Sequence, residues 1–317
     1  MKYICLLLLA FITANLYSQK DAEVAFRINE AGIIPEGIAY SETTDHFYVS
    51  SILKHKIIKI NAKTGEHSDF IPPDFIKLCF VGMMVDRERN ELWACANLRN
   101  GEGTNSGVYK FNVITGEIID RYERFDNTSH TFNDLTIDKA GNVYFTDSNN
   151  QHIYKIDRKT NSLTTWFESE EIGNPNGITI SDDNKYLYVA TYQKGIRVIE
   201  IVSKKVVNAE HEFESKGNDG LKFYKNTLIG TQNYFDKLEE IHIVQYILDE
   251  SLTKIIGTKT LVKDHPLFEI PTTHVIAKDQ LFSLATSNLD NVNWAEYTIL
   301  DPEKSKDVVV LRFKLNK

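Results

Sequence analysis

The sequence predicts an all-β protein, a six-bladed β-propeller that forms a single domain over residues 20–317. Three observations lead to this fold. One pattern of short apolar strands recurs six times along the chain. The strands are rich in Val, Ile, Tyr and Phe and are separated by Asp, Asn and Gly turns, and no long segment has the periodicity of an amphipathic helix. Units of about 40–50 residues match propeller blades, which close into a ring and leave few strand edges exposed.

The third copy of the repeat shows the pattern most clearly. Residues 135–138 lead through Gly141-Asn142 to residues 143–146, and residues 153–157 follow as a third strand. The segment 241–249 is the nearest candidate for a helix, but its position in the repeat favours a strand. A β-sandwich would not explain six copies of one pattern, so the propeller is the better prediction.

The two ends of the predicted domain are expected to meet in the last blade. The sixth copy closes near residues 308–315, and the short apolar segment 24–29 belongs to no copy. We expect segment 24–29 to supply the outer strand of the last blade and so to fasten the ring.

The N-terminus has the layout of a secretory signal peptide. Met1-Lys2 gives a positive start, residues 4–16 are almost unbroken apolar sequence, and Ser18 supplies a small residue near a cleavage point. The segment predicts a signal peptide over residues 1–19 and a secreted or periplasmic protein; a buried strand or an anchor helix is the alternative. No later stretch approaches the ~18 apolar residues that a membrane span needs, so no span is predicted.

The overall composition excludes some classes of partner and leaves the two later cysteines open. Lys and Arg number 36 against 44 Asp and Glu, a net charge of -8 without a basic stripe, so nucleic acid is not a predicted partner. Cys79 and Cys95 could pair in an oxidising compartment, or could be two buried thiols. We favour buried thiols, because a disulfide needs Cα atoms within about 7 Å.

Equivalent residues of the six blades should form a ring around the propeller axis. The residue before each innermost strand is Glu36, Val81, Asn133, Asn176, Asp219 or Thr273. Four of these carry carboxylate or amide oxygens, although each alone also fits an ordinary turn or surface position. Together they predict an all-oxygen site, which suits Ca²⁺ better than Zn²⁺.

The same residues carry a family resemblance that covers nearly the whole chain after residue 19 and preserves the blade order. The motifs are Pro35-Glu36-Gly37, Asn133-Asp134-Leu135, Asn176-Gly177 and Asp219-Gly220. The set resembles the regucalcin/gluconolactonase (senescence marker protein, LRE-like) superfamily of six-bladed calcium-dependent hydrolases, which includes diisopropyl-fluorophosphatase and paraoxonase relatives. The resemblance implies a divalent metal, usually Ca²⁺, held by the Glu, both Asn and the Asp, and a small lactone, ester or phosphotriester substrate.

The resemblance also implies roles for single residues. Asp219 would deprotonate an attacking water or attack directly as nucleophile, and both routes stay open. Glu36, Asn133 and Asn176 would place metal and substrate. Asp134 would belong to a second, structural Ca²⁺ site as in paraoxonase relatives, or serve as a turn or cap residue.

Other positions depart from the family pattern or extend it. Thr131, beside His130, stands where sugar-lactonase members have a substrate-binding Arg, which weakens a gluconolactonase assignment. Thr131 and His274 are the candidates for substrate contact. His274 could also shuttle protons or bind a second metal, but a structural histidine is the favoured interpretation. Further candidates for the channel mouth are Tyr192, Asn233 and Asn288.

Two alternative functions come from other classes. A non-catalytic propeller would bind a ligand or a protein, with calcium stabilising its channel. A quinoprotein dehydrogenase would need a Trp motif in most blades, but the three Trp do not recur in register. The leading prediction is therefore an exported, Ca²⁺-dependent hydrolase of a lactone or ester.

Overall fold

A computed structural model of the chain describes residues 22–73, 75–98, 106–124, 126, 128–210, 213–233 and 241–315. It confirms the predicted fold, because six antiparallel four-stranded sheets form the blades of a β-propeller. The predicted signal peptide, residues 1–19, lies outside the described residues and stays a prediction.

The strands follow one another blade by blade, except that the first strand, β1 (Glu23–Ile28), belongs to the last blade. Blade 1 consists of β2 (Ile38–Ser41), β3 (His46–Ser51), β4 (Lys56–Asn61) and β5 (His67–Ile71). Blade 2 consists of β6 (Cys79–Asp86), β7 (Glu91–Asn97), β8 (Ser106–Asn112) and β9 (Ile118–Arg124). Blade 3 consists of β10 (Phe132–Ile137), β11 (Val143–Asp147), β12 (His152–Asp157) and β13 (Ser162–Glu168).

The other three blades repeat this order from the axis outward. Blade 4 consists of β14 (Pro175–Ile180), β15 (Tyr186–Thr191), β16 (Arg197–Glu200) and β17 (Lys205–Val206). Blade 5 consists of β18 (Asn218–Tyr224), β19 (Thr227–Gln232), β20 (His242–Leu248) and β21 (Ile255–Lys263). Blade 6 consists of β22 (His274–Ala277), β23 (Gln280–Leu284), β26 (Val308–Lys314) and β1. The segment predicted as a strand near residues 241–249 is therefore strand β20.

The N-terminal strand closes the ring as the sequence predicts. Strand β1 pairs antiparallel with β26 on the outer side of blade 6, so the two ends of the propeller share one sheet. Phe26 of β1 packs against Phe47 of blade 1 and Phe282 of blade 6. This closure joins the first and last blades through both backbone pairing and the apolar core.

Local turn chemistry explains why the outer hairpins recur. Asn61 accepts hydrogen bonds from the backbone N–H groups of Lys63 and Thr64 at 2.9 and 3.0 Å, and Gly65 follows with a φ of 75°. Asn112 makes the same turn one blade later. An Asn side chain that imitates a backbone turn, followed by a residue that tolerates a positive φ, fixes a tight connection between two strands.

The inner strands approach one another closely because glycine stands at their contacts. A Cβ added at Gly37 would lie 2.2 Å from the carbonyl oxygen of Val81 in the next blade. A Cβ at Gly177 would lie 2.3 Å from the carbonyl oxygen of Asp219. Any side chain at these positions would push the blades apart, so the glycines bring the starts of the inner strands together at the axis.

The helices and cysteines add little to the architecture. Three 3₁₀ helices, Glu170–Ile172, Leu289–Asn291 and Pro302–Lys304, and a small hairpin of β24 (Val292–Asn293) and β25 (Thr298–Ile299) complete the described elements. None of these helices has the length or the hydrophobicity to cross a membrane. Cys79 and Cys95 are buried in different hydrophobic clusters and no disulfide joins them, in agreement with the prediction of buried thiols.

Candidate functional site

Every blade contributes to one small cavity on the propeller axis, which we call the ring cavity. Its lining residues are Glu36, Gly82, Asn133, Asp134, Asn176, Asp219, Gly220 and Thr273. The structure thus brings together the four oxygen-bearing residues that the sequence singled out. The ring cavity has a volume of about 10 Å³, the room that one water-sized sphere needs.

Val81 is the exception among the six predicted ring positions. Its side chain packs into a hydrophobic cluster with Phe132, Tyr122 and other residues of blades 2 and 3. Gly82 lines the ring cavity in its place. The difference lies in the side chain, because apolar Val81 gains more from packing in this cluster than from lining a polar cavity.

Irregular strand pairing directs the ring residues toward the axis. In blades 2 to 5 the register between the first and second strands shifts at the ring position, between Phe132 and Leu135 in blade 3, for example. The shift leaves Asn133 and Asp134 outside the regular ladder. A β-bulge bends a strand and changes the direction of its side chains, so the bulges turn polar groups toward the cavity.

Glu36 is a half-buried residue whose carboxyl group has an unmet hydrogen-bonding need. Its Oε2 atom is buried and has no hydrogen-bond partner among the described residues. Burial raises the pKa of Glu36 well above its ordinary value, and the nearby carboxylates of Asp219 and Asp134 raise it further. A buried acceptor without a partner is costly, so the site is poised to take up a positive charge or a donor.

Asp219 is buried too, but polar neighbours hold it. Burial raises the pKa of Asp219 to about 7; the hydrogen bond from Asn233 opposes the rise and the charge of Asp134 adds to it. Asn233 Nδ2 donates to Asp219 Oδ2 at 2.8 Å, and the Tyr192 hydroxyl donates to Asn233 Oδ1 at 2.7 Å. Tyr192 and Asn233, named from the sequence as candidates for the channel mouth, thus form a chain of contacts that orients Asp219.

Asn288, Thr131 and His274 do not line the ring cavity. Asn288 bonds to the backbone of Lys306 and so holds a surface loop. The backbone N–H of Thr131 donates to Asp147 at 3.0 Å in the loop before β10. Substrate contact by Thr131 stays a prediction.

His274 is a fully buried neighbour of the ring residue Thr273. Its Nδ1 atom lies 2.8 Å from the Thr231 hydroxyl. Burial lowers the pKa of His274 to about 3, and the charge of Lys222 lowers it further. The histidine is therefore neutral at physiological pH, and its Nε2 atom has no partner among the described residues. Its predicted substrate contact is likewise untested.

Sequence reasoning missed two polar residues at the site. Ser148 follows β11 and its hydroxyl accepts a hydrogen bond from Asn133 Nδ2 at 3.1 Å. Lys222 lies on the innermost strand of blade 5, and its ammonium group is 3.2 Å from Asp134 Oδ2. The position of Lys222 between the apolar residues Leu221 and Phe223 was the signal that could have revealed its contact with Asp134.

The donor set fits a hard divalent cation. Two carboxylates and two amide oxygens surround a cavity of the size of one water molecule, and burial makes both carboxylates unfavourable without a counter-charge. No group of three or more His, Cys, Asp and Glu side chains in the described part of the chain is arranged to hold a metal. A site at the ring cavity therefore depends on the amides of Asn133 and Asn176 as well as on charge.

Comparison with known proteins identifies the family. Residues 34–223, more than half of the chain, match the family model described as the SMP-30/gluconolactonase/LRE-like region. The chain belongs to this family. In this SMP-30/gluconolactonase/LRE-like protein the matched region contains Glu36, Asn133, Asn176 and Asp219, all four oxygen-bearing residues of the ring.

Solved structures with different activities share the propeller fold of this family member. A gluconolactonase from Xanthomonas campestris is 13% identical with a TM-score of 0.63, over 93% of this chain and 95% of that one. Regucalcin from Agrobacterium tumefaciens, a calcium-binding protein, is 12% identical with a TM-score of 0.59, over 92% and 93%. A PQQ-bound aldose sugar dehydrogenase from Streptomyces coelicolor is 11% identical with a TM-score of 0.63, over 92% and 97%. No curated protein sequence matches the chain significantly.

Proposed function

We propose that the protein is an exported hydrolase of lactones or esters that depends on a divalent cation, Ca²⁺ being the best fit. The observation that carries the proposal is the Oε2 atom of Glu36, which is buried and has no hydrogen-bond partner among the described residues. Glu36 lines the ring cavity together with Asp219, Asn133 and Asn176. The family assignment supports the same class of reaction, since its name covers gluconolactonases. The family also supports a small molecule as the substrate.

In this proposal the four oxygen-bearing residues of the ring bind the cation in two different ways. Glu36 and Asp219 supply negative charge, and Asn133 and Asn176 supply neutral amide oxygens. When bound, a divalent cation supplies Lewis-acid polarisation of a carbonyl oxygen. The ligands leave open positions for substrate and water, because Ca²⁺ accepts 6–8 oxygens.

Asp219 is the residue that we assign to the chemistry. Its carboxylate would take a proton from an attacking water or attack the carbonyl carbon itself. Hydrogen bonds from Asn233, Asn176 and Tyr192 hold this carboxylate in place, with Asn233 Nδ2 at 2.8 Å from Oδ2. In the cation-free site burial raises the pKa of Asp219 to about 7, and a bound cation would favour the ionised carboxylate, which is the form that accepts a proton or attacks.

Export is proposed from the sequence of the N-terminus. The charged start, the apolar residues 4–16 and the small Ser18 support a cleaved signal peptide and a secreted or periplasmic location. Expression of the full chain in a Gram-negative host, followed by N-terminal sequencing of the periplasmic fraction, tests the proposal. An intact Met1 on protein that stays inside the cell contradicts it.

The activity is tested on purified protein with a panel of lactones, aryl esters and phosphotriesters. Turnover is measured with Ca²⁺ and again after chelation, for the wild type and for Asp219→Asn and Glu36→Gln. We expect hydrolysis of at least one lactone or ester that is lost with the chelator and with either substitution. Activity that survives chelation, or an Asp219→Asn variant as active as the wild type, contradicts the mechanism.

A non-catalytic propeller with a structural calcium is the second candidate. The observation in its favour is Thr131, which stands where sugar-lactonase members have a substrate-binding Arg. In this case the same protein would turn over no member of the panel, while Ca²⁺ would raise its melting temperature. The two candidates therefore differ in turnover and agree in Ca²⁺ binding.

A further inference from the structure

A third buried carboxylate lies beside the ring cavity and has no role in the proposed chemistry. Asp134 follows Asn133 in β10, lines the ring cavity and is 6% exposed. Its Oδ1 atom accepts the backbone N–H of Leu135 at 2.9 Å, and its charge raises the pKa of both Glu36 and Asp219. Asp134 thus adds negative charge beside Glu36 and Asp219, and this charge makes their ionised forms less favourable.

Lys222 meets this charge from another blade. Its Nζ atom lies 3.2 Å from Asp134 Oδ2, with 16% and 8% of the two side chains exposed, although 88 residues separate them in sequence. Lys222 is the one Lys or Arg on the six inner strands β2, β6, β10, β14, β18 and β22. A lysine in this environment needs a partner, because burial of a lone ammonium group costs several kcal/mol.

The ion pair lies between the ring cavity and the opposite end of the channel. Asp134 lines the ring cavity, whereas Lys222 lines a wider cavity of about 380 Å³ formed by the other ends of the inner strands. The lysine side chain therefore reaches from one cavity toward the other. Lys222 lies three residues after Asp219 on β18, so it belongs to the same strand as the proposed catalytic carboxylate.

The buried charges nearly balance one divalent cation. Ionised Glu36, Asp219 and Asp134 carry three negative charges, and Lys222 reduces the sum to two. One divalent cation at the ring neutralises this set. Without the ammonium group, one negative charge would stay uncompensated in a site of low dielectric constant.

We propose that Lys222 is a built-in counter-ion that neutralises Asp134, so that the channel takes up a single divalent cation at the ring. The proposal rests on the proposed cation dependence of the site. It assigns Lys222 and Asp134 to the electrostatics of the cation site, and leaves proton transfer to Asp219.

The test compares four forms of the full chain, freed of metal and titrated with CaCl₂ in a calorimeter. They are the wild type, Lys222→Met, the double variant Asp134→Asn/Lys222→Met, and Lys225→Met as a matched control. Lys225 lies three residues further along at the surface, where its ammonium group pairs with Asp279 at 3.1 Å. Melting temperatures with chelator and with CaCl₂ are measured on the same samples.

We expect the wild type and Lys225→Met to bind one Ca²⁺ per chain with equal affinity. Lys222→Met should melt at a lower temperature in chelator and bind Ca²⁺ at least about tenfold more tightly, because the uncompensated charge of Asp134 attracts the cation. The double variant should return both quantities close to the wild-type values. A Lys222→Met variant that fails to fold while the double variant folds also supports the counter-ion role.

Three results would overturn the inference. They are two Ca²⁺ ions per wild-type chain, a Lys222→Met variant equal to the wild type in both quantities, and a double variant that is no more stable than Lys222→Met. A wild type that binds no Ca²⁺ overturns the proposed function instead. The melting temperatures in chelator then still test the pairing of Lys222 with Asp134.

Discussion

The two ends of the central channel are built from the same six inner strands. They differ in cavity volume and in whether their charged side chains have partners. At one end lies the ring cavity of about 10 Å³, where Glu36 has an unpartnered buried oxygen. At the other end lies the cavity of about 380 Å³, lined by half-buried side chains such as Met84 and Ile137. Some charged groups at its rim are paired, as Arg89 is with Asp86 at 2.8 Å.

The contrast favours the ring cavity over the larger cavity as the place of the proposed chemistry. Pockets of a few hundred Å³ are typical of small-molecule sites, so size alone would favour the wide end. Catalytic groups instead need environments that shift their protonation, and the shifted carboxyls of Glu36 and Asp219 lie at the narrow end. The β-bulges of blades 2 to 5 contribute to the difference, because they turn polar side chains such as Asn133 toward the ring cavity.

The largest expected effect is the loss of activity on substitution at the ring end. Asp219→Asn removes the proposed base or nucleophile and should lower kcat/KM by about 10²- to 10⁴-fold. Asp182→Asn is the matched change at the wide end, where Asp182 lines the larger cavity. Steady-state kinetics should show the second variant unchanged, and equal losses in both variants would contradict the contrast between the two ends.

A smaller loss is expected when the support of Asp219 is removed. Asn233→Ala takes away the donor to Asp219 Oδ2 and should lower kcat by about 10- to 100-fold, with Ca²⁺ affinity less affected. Tyr192→Phe keeps Asn233 but removes one of its contacts, so its loss should be smaller. Steady-state kinetics and calorimetry on both variants measure whether Asn233→Ala loses more activity than Tyr192→Phe. An Asn233→Ala variant with wild-type kcat would exclude a positioning role for Asn233.

The substitution Glu36→Gln should change the stability of the protein differently with and without metal. Glu36→Gln removes a buried charge that has no partner among the described residues, so in chelator the variant should be about 1–3 kcal/mol more stable than the wild type. The same variant should gain less stability from CaCl₂, because a ligand charge is lost. Denaturant unfolding under both conditions measures this; a Glu36→Gln variant destabilised in chelator would argue against the unmet charge.

A further prediction concerns the pH dependence of the stability of the metal-free protein. The folded-state pKa of Asp219 is raised to about 7 from 3.8, so the folded state binds more protons between these values. Asp219 therefore contributes a loss of stability as pH rises from about 4 to about 7. His274 acts in the opposite direction, since its pKa is lowered to about 3 from 6.5.

The contribution of Asp219 is isolated by comparison with Asp219→Asn. In chelator, the stability of the wild type relative to this variant should fall across the window from about pH 4 to about pH 7. CaCl₂ should remove the fall, because the cation favours the ionised carboxylate. Thermal unfolding at several pH values measures both slopes, and a difference that stays constant or rises would contradict the shift.

The sequence predicted most of the fold because its signals are local. Alternating apolar residues and Asn or Gly turns mark each hairpin, as at Asn61 and Asn112, and recurrence of the pattern gives the number of blades. The unassigned segment 24–29 had one unpaired edge left to occupy, and β1 lies there. The candidate ring followed from the same logic, because repeated units place equivalent residues at equal heights.

The sequence could not predict contacts between distant parts of the chain. Asp134 and Lys222 are 88 residues apart, and Asn233 reaches Asp219 from a loop 14 residues away. Gly82 lines the ring instead of Val81 because the Val81 side chain packs against distant residues such as Tyr122 and Phe132, a contact that the sequence does not reveal.

Sequence by itself thus determined that this chain forms six blades and which four oxygen-bearing residues face one another across the axis. Periodic hydrophobicity and turn chemistry act over a few residues, so they can be read along the chain. Only the tertiary structure decided which of these groups are satisfied: Glu36 Oε2 is buried without a partner, Asp219 is held by Asn233, and Asp134 is paired with Lys222. Burial and electrostatic pairing depend on distances in space, and closure of the ring sets those distances.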